Sequence, residues 1–274
     1  MAATVFAVHS HPDDIEFVMA GTLLLLAERG CELHYMNIAN GSCGTVEYSR
    51  DEAVEIRERE ARVAAQYLGA VFHPSLVNDL EVFYEKDTLQ RLGAVMRDVA
   101  PDIVLTGSPQ DYMEDHMNAC RLAVTAAFTL GMSNYPATPA RQIVEKDVVI
   151  YHAVPHGLRD GLRNVIHSDM YVDVGSVIDK KAEMLSCHAS QKDWLDRTQG
   201  FGSYIDTMRS MAREVGALSG VFEYAEGWRR HSHLGYSRDE IDPLPQLLGP
   251  NVVKTCVRLA GPVQGGSSDS PESV

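Results

Sequence analysis

Two imidazoles and three carboxylates stand close together near the start of the chain, in the stretch HSHPDDIE. They are His9, His11, Asp13, Asp14 and Glu16. Apolar runs at residues 4–8 and 17–27 are typical of buried elements, so the polar stretch is predicted to lie in a loop between them. Imidazoles and carboxylates bind catalytic zinc, which uses three protein ligands and keeps a fourth position for water. The turn at Pro12 allows His11 and Asp14 to point at one ion.

The alternative for a loop after a first strand is a nucleotide-binding turn. Such a turn needs the pattern G-x-G-x-x-G, which lets the backbone approach a pyrophosphate. This loop has no glycine before Gly21, and its carboxylates would repel phosphate. The residues therefore favour a metal over a dinucleotide.

A second polar cluster, PQDYMEDHMN, occupies residues 109–118. It offers His116, at a predicted helix start, as a third metal ligand. An acidic residue beside an imidazole at a helix start is more commonly a helix cap with a hydrogen-bonded ring. The metal hypothesis therefore depends on the two clusters meeting in space.

Alternating strand and helix patterns predict that the two clusters do meet. Apolar runs at residues 4–8, 32–39, 70–73 and 103–106 are predicted strands, and helical patterns separate them. Two further strands are predicted at residues 147–153 and 170–174. This alternation predicts an α/β fold with a Rossmann-like parallel sheet flanked by helices. Ligands of such sheets bind at the carboxyl ends of the strands. The first cluster follows the first strand and the second follows the fourth, so both loops should open on one edge.

Composition bounds the remaining function classes. The 274 residues carry a net charge of −14, which argues against a nucleic acid or an anionic membrane surface as partner. No run approaches the ~20 apolar residues of a membrane span. The five scattered cysteines form no CxxC pair. We expect a soluble, cytoplasmic protein with one domain at residues 1–264, made of a core at about 4–146 and a C-terminal elaboration, and a disordered tail at 265–274.

Taken together, the motifs resemble the LmbE-like, or PIG-L, N-deacetylase family. Its pattern is a strand ending in HPDD, a helix with G-G/T, an R-x-x-E helix ending in LG, a D-x-H-P-D-H segment and a later K…H-x-S-Q segment. The matching residues are His11-Pro12-Asp13-Asp14, Gly21-Thr22, Arg57 and Glu60 with Leu68-Gly69, Asp111 to His116, and Lys181 with His188 to Gln191. The resemblance covers about residues 4–191 and implies the LmbE-like deacetylase fold.

The resemblance implies a zinc-dependent hydrolase that removes an acyl group, usually acetyl, from an N-acetylglucosamine-type amide. Position by position, His11, Asp14 and His116 match the metal ligands, and Asp13 matches the catalytic base. Zinc lowers the pKa of bound water to about 7, and Asp13 is placed to accept its proton. Iron or cobalt would also suit these ligands. The implied partners are a small amino-sugar substrate and further copies of the chain in a homo-oligomer.

Five more residues are candidates for binding substrate or for orienting the metal ligands. They are Arg57, Asp111, Tyr112, Asp115 and His188. Four of them have an ordinary alternative: a helix ion pair for Arg57, a turn for Asp111, a helix cap for Asp115 and a surface imidazole at a helix end for His188. His9 is interpreted as a strand-end histidine rather than a ligand.

One position departs from the family pattern. Met113 stands where the family has the first histidine of H-P-D-H, which assists the oxyanion, and Glu114 replaces the proline. Methionine cannot donate a hydrogen bond, so Tyr112, His188 or the metal alone would have to take this role, or activity is reduced. The departure keeps open a second hypothesis, a non-catalytic sugar-binding or regulatory protein with a relict metal site.

Overall fold

The computed structural model of the chain describes residues 2–198 and 204–255. The described strands form one eight-stranded sheet, in the order β3-β2-β1-β4-β5-β7-β6-β8. Their bounds are β1 Thr4–His9, β2 Glu32–Asn37, β3 Val71–His73, β4 Ile103–Thr106, β5 Val149–Ala153, β6 Met170–Asp173, β7 Ala225–Arg230 and β8 Val252–Lys254. The predicted tail at 265–274 lies outside the described residues.

Helices cover both faces of this sheet. Their bounds are α1 Asp14–Val18, α2 Ala20–Glu28, α3 Arg50–Leu68, α4 Lys86–Val99, α5 Glu114–Phe128, α6 Ile178–Ser186, α7 Ala189–Thr198, α8 Tyr204–Ser219 and α9 Pro243–Leu248. Two separate apolar clusters pack on the two faces, one under α1, α2, α6 and α8 and one under α4 and α5. Strand β1 lies between them and is buried on both sides, as its unbroken apolar run predicts.

The first five strands in the sheet order are parallel, and the last three are not. Strands β3, β2, β1, β4 and β5 pair in parallel. Strand β7 pairs antiparallel with both β5 and β6, and β6 pairs antiparallel with β8. The predicted α/β class is confirmed, and the C-terminal strands extend the same sheet. Strand β7 is not among the predicted elements, because AEGWRR has little of the apolar run that marks a buried strand.

Local sequence features explain where α3 begins and ends. The Ser49 side chain accepts a hydrogen bond from the backbone of Glu52, whose carboxylate accepts one from the backbone of Ser49, so a capping box begins the helix. Gly69 ends it with a positive φ of 63°. This helix carries Arg57 towards the carboxyl edge of the sheet.

The helical pattern after the HSHPDDIE loop is broken in two at Met19, whose φ of −133° is not helical. The break exposes the first backbone N–H groups of α2. Glu226 of β7 accepts hydrogen bonds from Gly21 and Thr22 there, at 2.8 and 2.7 Å. Lys181 neutralises this buried carboxylate at 2.6 Å. A helix start stabilised by a carboxylate thus ties α2 to the C-terminal part of the sheet.

Candidate metal centre

The two polar clusters meet at the carboxyl edge of the sheet. The loop after β1 carries His11, and the loop after β4 leads into α5, whose first turn carries His116. The ring centroids of these histidines are 5.3 Å apart, and His11 Nδ1 lies 3.3 Å from His116 Nε2. The two loops therefore open on the same edge of the sheet, as the alternation of strands and helices predicts.

Asp14 completes this group. Its Oδ2 accepts a hydrogen bond from the His11 backbone N–H at 2.6 Å, and its Oδ1 lies 3.4 Å from His116 Nε2. Ligand atoms about 2.0–2.1 Å from a tetrahedral zinc ion stand roughly 3.3–3.4 Å apart. The spacing between the nitrogens and between His116 and Asp14 therefore suits one metal ion.

A carboxylate lies behind each of the two imidazoles. Asp115 Oδ2 is 3.0 Å from His11 Nε2, and Asp111 Oδ1 is 3.1 Å from His116 Nδ1. Each carboxylate can accept the ring proton on its own side, which leaves His11 Nδ1 and His116 Nε2 facing each other with lone pairs. Two lone pairs at 3.3 Å need a cation between them, so these residues fit a metal ion. Asp111 and Asp115 thus orient rings, whereas the sequence also allows a turn and a helix cap for them.

His9 is a further imidazole at this centre, although its sequence position indicates only a strand end. Ligand atoms of His9, Asp14 and His116 all lie within 4.8 Å of one another, so this group could also hold a metal. However, His9 Nδ1 lies 2.8 Å from both the Ser10 backbone N–H and Asp14 Oδ2. Its Nε2 faces Gly107, where an added Cβ would approach to 2.6 Å. The lone pair of His9 Nδ1 is thus engaged by a backbone donor, whereas that of His11 Nδ1 is not.

The pKa values of His11 and Asp14 at this centre are strongly shifted. Burial lowers the pKa of His11, but the carboxylates of Asp115 and Asp14 outweigh it and raise the pKa to about 10. Burial acts to raise the pKa of Asp14, but the imidazoles of His116 and His9 hold it well below its usual range. Without a metal, these carboxylates hold a proton on the imidazoles, and a metal ion would replace that positive charge.

Asp13 sits beside the metal group in a strained backbone conformation, with φ at 109°. The Tyr204 hydroxyl donates a hydrogen bond to its Oδ2, and Arg57 Nη2 lies 3.8 Å from its Oδ1. Burial raises the pKa of the Asp13 carboxyl, and Arg57 opposes this shift. Asp13 is therefore a buried carboxylate whose orientation is fixed from two sides.

Arg57 is itself buried and serves as a local clamp. It donates to the carbonyl oxygens of Pro12 at 2.6 Å and Gly41 at 3.4 Å. Its Nη1 lies 3.9 Å from Asp79, a residue that no sequence motif marks. The guanidinium therefore joins the HPDD loop to the loop after β2.

His188 lies behind Asp13 rather than in the open site. It is fully buried, and its Nε2 is 3.2 Å from Glu16 Oε2, which also accepts a hydrogen bond from the Tyr35 hydroxyl. His188 is not among the described residues that line the cavity above the centre.

A cavity of about 730 Å³ opens above the metal group. Its walls include residues contributed by the loop after β5 and by the helices α7 and α8, and of these only Gln191 belongs to a sequence motif. They are His156, Gly157, Arg159 and Asp160 from the loop, and Gln191, Leu195, Tyr204 and Thr207 from the helices. Tyr112 and Met113 lie on the rim beside His116. The volume suits a small molecule such as a sugar.

The neighbours of this chain among known proteins agree with that site. Residues 6–128 match the family PIG-L, described as GlcNAc-PI de-N-acetylase. A 4-oxalmesaconate hydratase of Pseudomonas putida is 30% identical over 197 residues, which cover 69% of this chain and 74% of the relative. The chain belongs to the PIG-L family. The predicted resemblance is thereby confirmed.

Other members of the PIG-L family are named for deacetylation of amino sugars. Diacetylchitobiose deacetylase of Thermococcus kodakarensis is 27% identical over 234 residues, 82% of each chain. The structure of N,N'-diacetylchitobiose deacetylase from Pyrococcus horikoshii has a TM-score of 0.67 at 25% identity, covering 89% of both chains. These relatives bear out the expectation of a family of enzymes that hydrolyse non-peptide amides.

A hydratase is equally similar in structure. The 4-carboxy-2-hydroxymuconate hydratase of Pseudomonas putida has a TM-score of 0.71 at 26% identity and covers 88% of this chain and 99% of its own. Proteins of this fold therefore include both deacetylases and hydratases.

In the part of the chain that the structure describes, no helix has the length and hydropathy needed to span a membrane.

Proposed function

We propose that this chain is a zinc-dependent hydrolase that removes an N-acyl group, in the simplest case acetyl, from an N-acetylglucosamine-type amino sugar or glycoside. One observation carries the proposal: His11, His116 and Asp14 converge within 3.3–3.5 Å beside the buried carboxylate of Asp13, under a cavity of about 730 Å³. The deacetylases among the relatives give the amide and the sugar.

The proposed ligands are His11 Nδ1, Asp14 Oδ1 and His116 Nε2. Asp115 and Asp111 orient the two rings, and the His11 backbone N–H donates a hydrogen bond to Asp14 Oδ2, which leaves Oδ1 for the metal. Zinc suits two imidazoles and one carboxylate with an open fourth position, and when bound it supplies a Lewis acid that lowers the pKa of water. Replacing His11 by Ala should abolish metal binding, whereas the His9→Ala variant should still bind one metal ion per chain.

Asp13 is the proposed general base. A carboxylate with a raised pKa and a fixed orientation can accept a proton from water and pass it to the leaving amine. Arg57 and Tyr204 hold it in place. In the complete reaction, water adds to the acyl carbon, the C–N bond breaks, and the proton ends on the amine.

Substrate would enter between the loops that follow β1, β2, β4 and β5. Tyr112, which is 54% exposed, offers an aromatic face and a hydroxyl at the entrance. Arg57 lies deeper and contacts the loop after β2, so it shapes the floor of the cavity rather than its entrance.

We also propose a homo-oligomer in the cytoplasm, with no role for nucleic acid. The four described cysteines, Cys31, Cys43, Cys120 and Cys187, are all free thiols.

A panel of N-acylated amino sugars, scored for release of free amine, tests the proposal. The panel includes N-acetylglucosamine, its di- and trisaccharides and simple glycosides, each with N-acetyl and longer acyl groups. We expect amine release with the zinc-loaded enzyme, loss of activity with a chelator, and recovery when zinc is returned. Parallel loading with iron or cobalt identifies the metal that gives the highest turnover.

A hydratase is the second candidate, because a hydratase relative is 30% identical and because Met113 removes the family's oxyanion-assisting histidine. Addition of water to a conjugated carbon–carbon double bond needs a base such as Asp13 but no amine leaving group. Unsaturated hydroxy-tricarboxylates, followed by loss of ultraviolet absorbance, belong in the same panel. Turnover of these acids without amine release from any sugar would replace the deacetylase proposal. Metal binding with neither activity would favour the relict site.

A further inference from the structure

Met113 leaves the centre without the side-chain donor that would meet a developing oxyanion. Several donors nearby are already engaged. Tyr204 donates to Asp13, Arg57 donates to two backbone carbonyls, and His188 is fully buried against Glu16. Besides the metal, the side-chain donors that remain for the oxyanion are among the other residues that line the cavity, which include Tyr112 and His156.

Aromatic rings form a continuous arc from the base to the metal group, made of Tyr204, Phe17, His156, Tyr112 and His116. Their ring centroids are 5.0 Å apart between Tyr204 and Phe17, 5.1 Å between Phe17 and His156, 6.3 Å between His156 and Tyr112, and 5.5 Å between Tyr112 and His116. His156 therefore occupies the middle of the arc, on the cavity wall that spans the space between Asp13 and His116.

His156 is held firmly in this position. It follows β5 and Pro155 and begins a one-turn 3₁₀ helix in which Gly157 has a φ of 73°. Leu158, buried in the core, fixes the turn, and its carbonyl accepts a hydrogen bond from Ile166 at 3.0 Å. Asp160 closes the rest of the loop by accepting from the backbone of Leu162 and Asn164. These contacts fix the backbone that carries His156.

The imidazole of His156 has no hydrogen-bond partner within the described residues, although Phe17 and Tyr112 pack against its ring. A neutral imidazole carries one donor and one acceptor nitrogen. Burial lowers the pKa of His156, and Asp14 and Asp111 only partly oppose this, so the ring is neutral near pH 7 and keeps one N–H to donate.

We propose that His156 is a catalytic residue that donates a hydrogen bond to the acyl oxygen of the substrate as that oxygen becomes an oxyanion. It thereby supplies, from the loop after β5, the donor that Met113 lacks in the loop after β4. The inference rests on the proposed deacetylase function. It assigns to this chain a rearranged oxyanion site, in which the donor comes from a different strand end.

Two substitutions separate hydrogen bonding from ring packing. His156→Phe keeps an aromatic ring between Phe17 and Tyr112 but removes the donor, and His156→Gln returns a donor without the ring. His167→Phe is the matched control, since His167 is exposed, lies in the same connection between β5 and β6, and does not line the cavity.

Turnover is measured with the acylated sugar that the wild-type enzyme hydrolyses fastest. We expect His156→Phe to lower kcat by about 10²–10³-fold, the usual effect of losing one oxyanion donor. His156→Gln should recover at least about tenfold of this loss, and His167→Phe should match the wild type. Metal content should stay at one ion per chain in all variants.

Binding gives a readout that does not depend on turnover. The probe is the methylphosphonamidate analogue of the same sugar, whose tetrahedral phosphorus carries oxygens where the oxyanion forms. Its affinity, measured by calorimetry, should fall about a hundredfold in His156→Phe. Affinity for the free amine product should change by less than about threefold, because the product lacks that oxygen.

Failure of this role and failure of the proposed function give different results. If the wild type releases amine but His156→Phe loses less than about threefold in kcat, the deacetylase function stands and the role of His156 is wrong. The role is equally wrong if His156→Phe loses its metal, or if Tyr112→Phe shows the hundredfold loss instead. If no acylated sugar is hydrolysed and the analogue does not bind, the proposed function fails, and the role of His156 fails with it.

Discussion

Two pairs of histidines in this molecule have nearly the same geometry but opposite chemistry. The ring centroids of His11 and His116 are 5.3 Å apart at the metal centre. Those of His152 on β5 and His231 just after β7 are 5.1 Å apart, and His152 Nε2 lies 2.9 Å from His231 Nδ1. We call His152 and His231 the second histidine pair. Proximity of imidazoles alone therefore does not mark a metal site.

The partners behind the rings make the difference. Each ring of the metal centre has a carboxylate on its far nitrogen, and burial is outweighed so that the pKa of His11 is about 10. His152 instead lies against the Gly107 carbonyl and the Cys120 thiol, and its burial lowers its pKa to about 4. Its other nitrogen is used by His231. Carboxylates behind the rings suit a histidine pair to a cation, whereas a carbonyl suits it to a neutral structural pair.

The largest expected effect comes from removing one ring of the proposed metal centre. Removing one ring of the second histidine pair is the control. His116→Ala removes a proposed ligand, so we expect the metal to be lost on dialysis and turnover to fall close to background. His231→Ala, its counterpart in the second histidine pair, should keep one metal ion and wild-type kcat. Elemental analysis after dialysis, with amine release, measures both. A full equivalent of metal in His116→Ala would show that the ion binds elsewhere.

Asp13→Asn should give the next largest effect. Asparagine preserves the size of the side chain and tolerates the positive φ, but it cannot accept a proton, so kcat should fall by about 10²–10⁴-fold. Metal content should not change, because Asp13 is not a proposed ligand. Undiminished turnover in this variant would remove Asp13 from the mechanism.

A carboxylate behind a ring should matter less than the ring itself. In Asp111→Asn, His116 loses the charged acceptor that fixes its proton on Nδ1, and metal affinity should fall by about 10–100-fold with the site still able to fill at high metal concentration. Asp147→Asn, at an exposed carboxylate outside the metal group, is the control. Competition with a chelator of known affinity measures the change. Equal affinities of the two variants would refute the proposed role of the carboxylate.

The pattern of strands and loops predicts the meeting of His11, Asp14 and His116, because the loops after parallel strands lie at the same edge of the sheet. His156 was not predicted, although it follows the predicted strand at residues 147–153 and the same reasoning applies to it. Tyr204 could not be found in this way, because it lies on a helix whose packing against Phe17 only the folded chain determines. The sequence interprets His9 as a strand-end histidine rather than a ligand, and only the folded chain shows that its Nδ1 accepts a hydrogen bond from the Ser10 backbone.

The smallest expected effect concerns the second histidine pair and appears in stability rather than activity. His152 has a pKa of about 4 in the folded chain, below the value of 6.5 of an exposed histidine. As pH falls from 6.5 towards 4, the unfolded chain binds a proton that the folded chain does not, so stability present above pH 6.5 is progressively lost. The shift corresponds to about 3 kcal/mol lost by about pH 4. His152→Gln keeps a donor and an acceptor but does not titrate. Between about pH 7 and pH 4, the free energy of unfolding should therefore fall by about 3 kcal/mol more in the wild type than in this variant. Urea unfolding of both proteins at several pH values measures the difference. If this difference does not change with pH, His152 is not the neutral buried histidine that separates its pair from the metal centre.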